Sequence, residues 1–281
     1  MYTWPLVSTL ICTYNAESFI ARTLDSVVGQ TYSHQEILIL DNWSKDKTLE
    51  IIKTYQQKDE RIVLFDFGKN LGAYAWLNYL LDQSKWTYIA IQDHDDIWHS
   101  QKLEKQITFL GKNKRYIWSG TGTLMYYWYQ KLWFLYDVKS RDTTKVIHTS
   151  LVFRNQWFRY DASLKFLVDG YFMQKILTKW KNILKVIPEP LTLHYYKGNG
   201  TNYSEQRFEL TFKNIKIFFQ VYGWSPYYFL ILIYITICKI LPRKWKNAFD
   251  FKLLCRFKRA KKKEVLEKQN TYLSELLKYY S

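Results

Sequence analysis

The chain has 281 residues, 48% hydrophobic, with 41 Lys and Arg against 25 Asp and Glu, for a formal net charge of +16. That length buries a full core, with room for one large domain and an appendage. Its three cysteines (Cys12, Cys238, Cys255) are far apart and lack ligand spacing, which excludes a disulfide framework or a zinc site and fits a reducing compartment.

The charge is uneven. Residues 206–281 hold 16 Lys and Arg against 5 acids, whereas residues 1–205 hold 25 against 20. A basic tail on a near-neutral body points to an anionic surface as partner, lipid or nucleic acid. Aromatic side chains are abundant (12 Trp, 24 Tyr, 17 Phe), and their faces suit sugar rings, bases and membrane interfaces alike. Met1–Leu6 lacks the basic region and apolar core of a signal peptide, so the body is expected in the cytosol.

In chain order, Leu6–Thr13 is a mostly apolar strand bounded by Pro5, followed by the loop Tyr14–Glu17. Ser18–Gln30 is a helix with Ile20, Leu24 and Val27–Val28 on its inner face. Glu36–Leu40 is a second strand, closed by Asp41-Asn42-Trp43-Ser44. Thr48–Gln57 is helical, Ile62–Phe67 is a third strand, and Asn70-Leu71-Gly72 opens a helix through Ser84. Tyr88–Ile91 then reads as a buried strand that runs straight into Gln92-Asp93-His94-Asp95-Asp96. Ser100–Leu110 comes next, with Leu103, Ile107 and Leu110 on one face.

Repeated strand–helix alternation argues for an α/β domain with a parallel sheet. Ligands of open α/β sheets bind along the C-terminal strand edge. Three strand ends carry suitable groups there: Thr13–Asn15, Asp41 and Asp93–Asp96. Asp93 and Asp95, two apart on a turn, suit one hard cation, Mg²⁺ or Mn²⁺, held by carboxylates and substrate phosphates. Asp96 also reads as a helix cap. Neither a Gly-x-Gly-x-x-Gly run after the first strand nor a Walker loop is present, so a metal is expected to neutralise phosphate charge.

Five ordered stretches carry a family resemblance: Val-Ser-Thr-Leu-Ile-Cys-Thr-Tyr-Asn from Val7, Leu-Asp-Ser-Val-Val-Gly-Gln-Thr-Tyr from Leu24, Glu-Ile-Leu-Ile-Leu-Asp-Asn-Trp-Ser from Glu36, Asn-Leu-Gly-Ala from Asn70, and Gln-Asp-His-Asp-Asp-Ile-Trp from Gln92. Over Val7–Leu110 the chain resembles the nucleotide-sugar-binding half of the inverting family 2 glycosyltransferases of bacterial cell-surface polysaccharide type, which have the GT-A fold. Weaker matches occur at His148–Arg154, Tyr160–Asp169 and Pro188–Lys197. The resemblance implies a GT-A domain over 1–205, with its nucleotide-sugar half at 1–112 and its acceptor half at 113–205. Residues 206–281 would form a helical, basic, membrane-associating appendage.

It also implies roles. Asp95 would be the principal metal ligand, and Asp93 would contact metal or ribose. Asp41 would accept from the base N3–H, Tyr14 would stack on the base, and Thr13, Asn15 and Asn70 would line the same pocket. Asp169 would be the base that deprotonates the acceptor hydroxyl, its pKa raised by partial burial; its plainer reading is a helix N-cap. His194 stands between a metal-site role and a structural one. Departures are Asn42 where an acid is usual, Trp43 where a small residue is usual, Leu77 in place of an Arg, and Val168 in place of a Glu.

The donor would be a UDP-sugar, with a dTDP-sugar next, and the acceptor a lipid-linked or cell-surface glycan. The aromatic stretch Gly120–Lys139 reads equally as an acceptor platform or as core. Pro226–Cys238 is apolar but shorter than the ~20 residues a spanning helix needs. With the basic residues beyond it, residues 215–263 suit a helix lying on an anionic leaflet, peripheral or monotopic, at the cytoplasmic side of the membrane. The rival readings are a nucleic-acid- or membrane-binding module built on the basic tail, and an inactive transferase-like scaffold. Familiar nucleic-acid motifs are absent from the sequence, so no nucleic-acid partner is expected.

Overall fold

The computed structural model describes residues 5–127 except 86, then 132–136, 146–155, 158–164, 167–179, 183–196, 211–224, 226, 229–230, 232–233 and 271–280. Most of the apolar segment Pro226–Cys238 and of the basic run to residue 263 lies outside the described residues.

The first half alternates as expected. Strand β1 (Val7–Thr13) leads to helix α1 (Ile20–Val28), β2 (Gln35–Asp41) to α2 (Thr48–Lys58), β3 (Ile62–Asp66) to α3 (Ala73–Gln83), and β4 (Tyr88–Asp93) through the short β5 (Ile97–Trp98) to α4 (Lys102–Lys112). The second half holds β6 (Trp118–Tyr127), β7 (Leu132–Tyr136), a 3-10 turn at His148–Ser150, β8 (Val152–Arg154), α5 (Val168–Lys179) and β9 (Leu184–Tyr196). Two later helices are α6 (Phe212–Tyr222) and α7 (Thr271–Leu277).

All nine strands join one sheet in the order β3-β2-β1-β4-β8-β6-β9-β5, with β7 alongside β6. The ladders β3-β2-β1-β4 and β6-β9 are parallel and hold most of the paired residues. Antiparallel pairs enter where β8 joins β4 and β6, and at β6-β7 and β5-β9.

The strand sequences explain the layers. Side chains alternate between the two faces of a strand, and here both faces are apolar. Leu10, Leu38, Leu40, Ile89 and Ile91 enter one core with Trp76, Leu77, Leu80 and Leu81 of α3, Phe172 and Ile176 of α5, and Ile217 and Val221 of α6. Their neighbours Val7, Ile11, Ile37, Ile39, Tyr88 and Ala90 enter the other, with Ile20, Leu24 and Val27 of α1, Ile52 of α2, and Leu103, Ile107 and Leu110 of α4. Strands buried on both faces in this way belong to helix-covered parallel sheets. The first turn of α4 is buried as well. Lys102 Nζ lies 3.9 Å from the Trp98 ring centroid, and burial pushes that ammonium pKa well below its ordinary value.

Four aromatics of the Gly120–Lys139 stretch take the core reading, while Trp128 and Tyr129 lie outside the described residues. Tyr126, Tyr127, Trp133 and Phe134 are all buried, so they pack rather than present a platform. Tyr126 and Trp133 meet Ile97, Leu193 and Tyr195 in a third cluster, which Leu273, Leu276 and Leu277 of α7 complete. Glu275 of α7 fastens that helix to the body by accepting from the Ser100 backbone N–H at 2.6 Å and lying 3.1 Å from His99 Nε2. Among the described residues no helix is long and apolar enough to cross a membrane.

Leu276 is fully buried, so Leu276→Ala is expected to destabilise the chain by about 2–5 kcal/mol in denaturant titration. Val63→Ala, at an exposed strand position, is expected to stay within about 0.5 kcal/mol.

Candidate active site

Parallel pairing sets one row of residues at a common edge. Thr13 stands beside Asp41, Asp41 beside Asp66, and Cys12 beside Asp93. The loops that leave these strands therefore gather at the C-terminal edge of the sheet.

The β1 and β2 loops are fastened to each other. Asp41 Oδ1 accepts from Thr13 Oγ1 at 2.9 Å and from Ser44 Oγ at 2.6 Å, and its Oδ2 accepts from the Ser44 N–H at 2.9 Å. Asn15 donates its N–H to Ser44 Oγ at 2.9 Å, and its Oδ1 accepts from the Lys45 N–H at 2.8 Å. Thr13 and Asp41 are thus buried braces, with much of the Asp41 carboxylate engaged inside the protein. Asn15 takes a left-handed φ of 47°, which Asn tolerates better than most residues. Tyr14 beside it is 44% exposed. Asn70 accepts the Gly72 N–H at 3.1 Å, which turns the chain into α3.

Around the end of β4 the residues are acidic. Asp93, Asp96 and His194 offer ligand atoms that all lie within 4.8 Å of one another. Asp96 is fully buried and accepts from the Tyr195 backbone N–H at 2.9 Å, while its Oδ2 lies 2.9 Å from His194 Nδ1. Its place is therefore a clamp between the β4–β5 turn and β9; the residue preceding α4 is Gln101, so Asp96 is no helix cap. Asp93 is the open member, with 40% of its side chain exposed. Asp95 sits half-buried in the same turn, and its charge bears on Asp93, Asp96 and His194.

Burial and the neighbouring charges of Asp96, Asp95 and Asp169 hold the Asp93 carboxyl well above its usual pKa, with His194 pulling the other way. Burial raises Asp96 too, partly offset by His194. Burial opposes protonation of His194, but Asp96, Asp95 and Asp93 outweigh it and push the imidazole up to about 9.

Asp169 lies half-buried in the first turn of α5, where the helix dipole favours an anion. Its charge helps to raise both the Asp93 carboxyl and the Tyr160 hydroxyl, so it bears on the same group of side chains. Residues to which the sequence alone assigns no role complete the far wall. His148 Nε2 lies 2.6 Å from the Tyr160 hydroxyl, and its Nδ1 is 3.9 Å from Asp93 Oδ1. Thr149 donates to Gln92 Oε1 at 2.6 Å. Asn78 grips the Tyr160 main chain at both N–H and C=O, at 2.8 and 2.9 Å. The sequence signals for this wall are the weaker family matches at His148–Arg154 and Tyr160–Asp169, which assign no role to His148, Thr149 or Tyr160 individually.

Residues 8–163 match the protein family described as glycosyl transferase family 2. The chain belongs to that family. Over 111 residues it is 40% identical to a putative teichuronic acid biosynthesis glycosyltransferase, TuaG, of Bacillus subtilis, covering 39% of this chain and 44% of that protein. Over 109 residues it is 38% identical to the Escherichia coli UDP-Glc:alpha-D-GlcNAc-diphosphoundecaprenol beta-1,3-glucosyltransferase WfaP, covering 39% of this chain and 43% of that one. The chain thus spans less than half the length of these two relatives. Among solved structures it resembles Staphylococcus aureus TarS 1–349 in complex with UDP-GlcNAc, with a TM-score of 0.63, 16% identity, and coverage of 76% of this chain and 65% of that one. That likeness identifies the fold as GT-A.

The departures of this family 2 chain now have physical settings. Leu77 and Val168 are both buried in the core, where the charge of an Arg or Glu would be costly. Asn42 keeps its carbonyl engaged, accepting from Trp76 Nε1 at 2.7 Å and from the Leu71 N–H at 3.1 Å.

The raised acids and the raised His194 have one consequence. Each binds its proton more tightly folded than unfolded, so each contributes stability at low pH that is lost as pH rises. For His194 the window runs from 6.5 to about 9. Without divalent ions the melting temperature is expected to fall across that window, and His194→Gln is expected to flatten the fall. Thermal melts at stepped pH check this.

Proposed function

We propose that this chain transfers a sugar from a nucleoside-diphosphate sugar to a glycan acceptor, with inversion, in cell-surface polysaccharide synthesis. The observation that carries the reading is the meeting of Asp93, Asp96 and His194 at the C-terminal sheet edge of a GT-A fold, with the charges of Asp95 and Asp169 bearing on Asp93. A UDP-sugar is the favoured donor and a dTDP-sugar the next. UDP-sugars are named for WfaP and for the TarS complex. WfaP's acceptor is lipid-linked, and a lipid-linked or cell-surface glycan is the acceptor proposed here.

The donor set fits a divalent cation. Asp93 is open and acidic, Asp95 adjoins it, and His194 supplies a nitrogen that suits Mn²⁺ at least as well as Mg²⁺. Asp93 and Asp95 would hold the ion, with His194 steadied by Asp96. When bound, such an ion supplies charge to the departing diphosphate.

The chain's own residues supply the rest. Asp169 takes the proton from the acceptor hydroxyl as that oxygen attacks the anomeric carbon, and the nucleoside diphosphate departs from the opposite face. His148 and Tyr160 wall the acceptor side. The β1 and β2 loops hold the nucleoside, with Tyr14 exposed to stack on its base and Asn15 and Asn70 at the rim.

The basic region at 215–263 is proposed to keep the enzyme on the anionic cytoplasmic leaflet. Phe212 and Trp224, at the ends of α6, are strongly exposed and would sit at that interface.

Calorimetric titration of UDP with Mn²⁺ is expected to show binding that disappears with EDTA and is weakened at least tenfold in Asp95→Asn. Metal-independent binding would overturn the metal's role. Asp169→Asn is expected to keep UDP binding while lowering turnover by about a hundredfold or more; unchanged turnover would remove Asp169 as base. Flotation with anionic vesicles is expected to carry the full chain, and flotation lost in ~0.5 M salt would identify the charge component.

A further inference from the structure

Trp43 is a strained aromatic in a surface turn. Its φ is 67°, in the left-handed region that bulky residues avoid. Its neighbours dictate that conformation. Asn42 donates its N–H to Thr13 O at 2.8 Å and accepts from Leu71 and Trp76, while Ser44 is tied to both Asp41 and Asn15. A backbone fixed on both sides can keep a costly φ. Yet the indole that bears this cost is 46% exposed. One of its faces carries Lys45 Nζ at 3.5 Å from the ring centroid, which limits the ring's orientations.

Its position is informative. β1, β2 and β3 run in register, so the residues after Thr13, Asp41 and Asp66 leave the sheet side by side. Each of these three ends leaves a large ring about half exposed: Tyr14 at 44%, Trp43 at 46% and Phe67 at 45%. Phe67 is itself stacked on Trp76, with centroids 5.3 Å apart. β2 stands two strand spacings from β4 and its Asp93, about 10 Å. That is the scale separating a nucleobase from the diphosphate of the same nucleotide.

We infer that Trp43 is a nucleobase-stacking residue of the donor site, holding the planar base of the nucleoside diphosphate while the acidic cluster engages its phosphates. The inference rests on the donor-site reading of the proposed function. Stacking is tolerant of base identity because every base has a π-face, so Trp43 contributes affinity, and discrimination between bases falls to polar groups.

The test titrates UDP and, separately, inorganic pyrophosphate into the full chain with Mn²⁺, for the wild type, Trp43→Gly, Trp43→Asn and Trp43→Phe. Gly and Asn both accept a positive φ, so neither is expected to lower the melting temperature. Trp43→Gly and Trp43→Asn are expected to weaken UDP about tenfold and leave pyrophosphate unchanged. Trp43→Phe is expected to recover most of the UDP affinity. Unchanged UDP affinity in the Gly and Asn variants overturns the inference and leaves the donor site standing. Parallel loss of UDP and pyrophosphate also overturns it, since that marks a loop displaced rather than a base unstacked. A wild-type chain that binds neither UDP, dTDP nor GDP overturns the donor site itself, and Trp43 with it.

Discussion

The constraint on which the site depends is the crowding of four carboxylates at one corner of the sheet. Asp93, Asp95 and Asp96 lie within one turn, and Asp169 arrives from α5. Mutual repulsion and burial would disperse such a group unless the fold compensated it. It does so unequally. Asp96 is fully buried, but its oxygens meet His194 and the Tyr195 N–H, so it becomes part of the scaffold. Asp93 keeps an open side, and its carboxyl bears the residual strain as a pKa held well above normal. An acid in that condition is poised for a counter-cation, because a divalent ion relieves the same repulsion that a proton does. Stability and function oppose each other at this corner, as they commonly do where charge is concentrated for chemistry.

The sheet is readable from sequence because its strands satisfy a local rule. The apolar residues of β1, β2 and β4 alternate between two cores along each strand. Runs such as Ile37-Leu38-Ile39-Leu40 announce a strand covered on both faces before any contact is known. The acidic end of β4 is readable for the same reason, since a polar cluster directly after a buried strand must lie at the sheet edge. The partners of that cluster are not. His194 is 98 residues from Asp96, and His148 with Tyr160 reaches Asp93 only through β8 and the turn that precedes it. A single His in sequence carries no periodicity and no spacing, so its role emerges only once β9 lies beside β5 and β6. Asp41 is legible in part. Its place at a strand end is legible as that of a ligand group, but its part as a brace, accepting from the hydroxyls of Thr13 and Ser44, is not.

The braces matter because the loops they fix are otherwise unsupported. The Tyr14–Glu17 and Asn42–Lys47 segments leave adjacent parallel strands and have no ladder of their own. Side-chain-to-backbone bonds between them take its place: Asn15 with Ser44 and Lys45, the Ala16 N–H with Thr48 Oγ1 at 2.6 Å, and the Glu17 N–H with Asp46 at 3.1 Å. Such a network fixes two turns at once, so the side chains it leaves outward are preorganised. The rings of Tyr14 and Trp43 are of this kind. A ligand that met them would not have to order the loops first, which lowers the entropic cost of binding.

The last part of the chain bears on the same corner from behind. α6 presses against α5: Val221 lies against Gly170, where a Cβ would come within 3.1 Å of Val221 Cγ1. Gly170 comes directly after Asp169, so the approach of α6 sets how closely the first turn of α5 can settle over Asp93. α7 acts on the opposite wall. Leu273, Leu276 and Leu277 pack on Leu193 and Tyr195, the residues on either side of His194, while Glu275 holds the His99–Ser100 segment just beyond β5. Both helices therefore reach the acidic cluster through one layer of packing, α6 by way of Asp169 and α7 by way of His194. Any force transmitted to the segment between them, including attachment to a surface, would act on the elements that set the distance between Asp169 and the Asp93–His194 cluster.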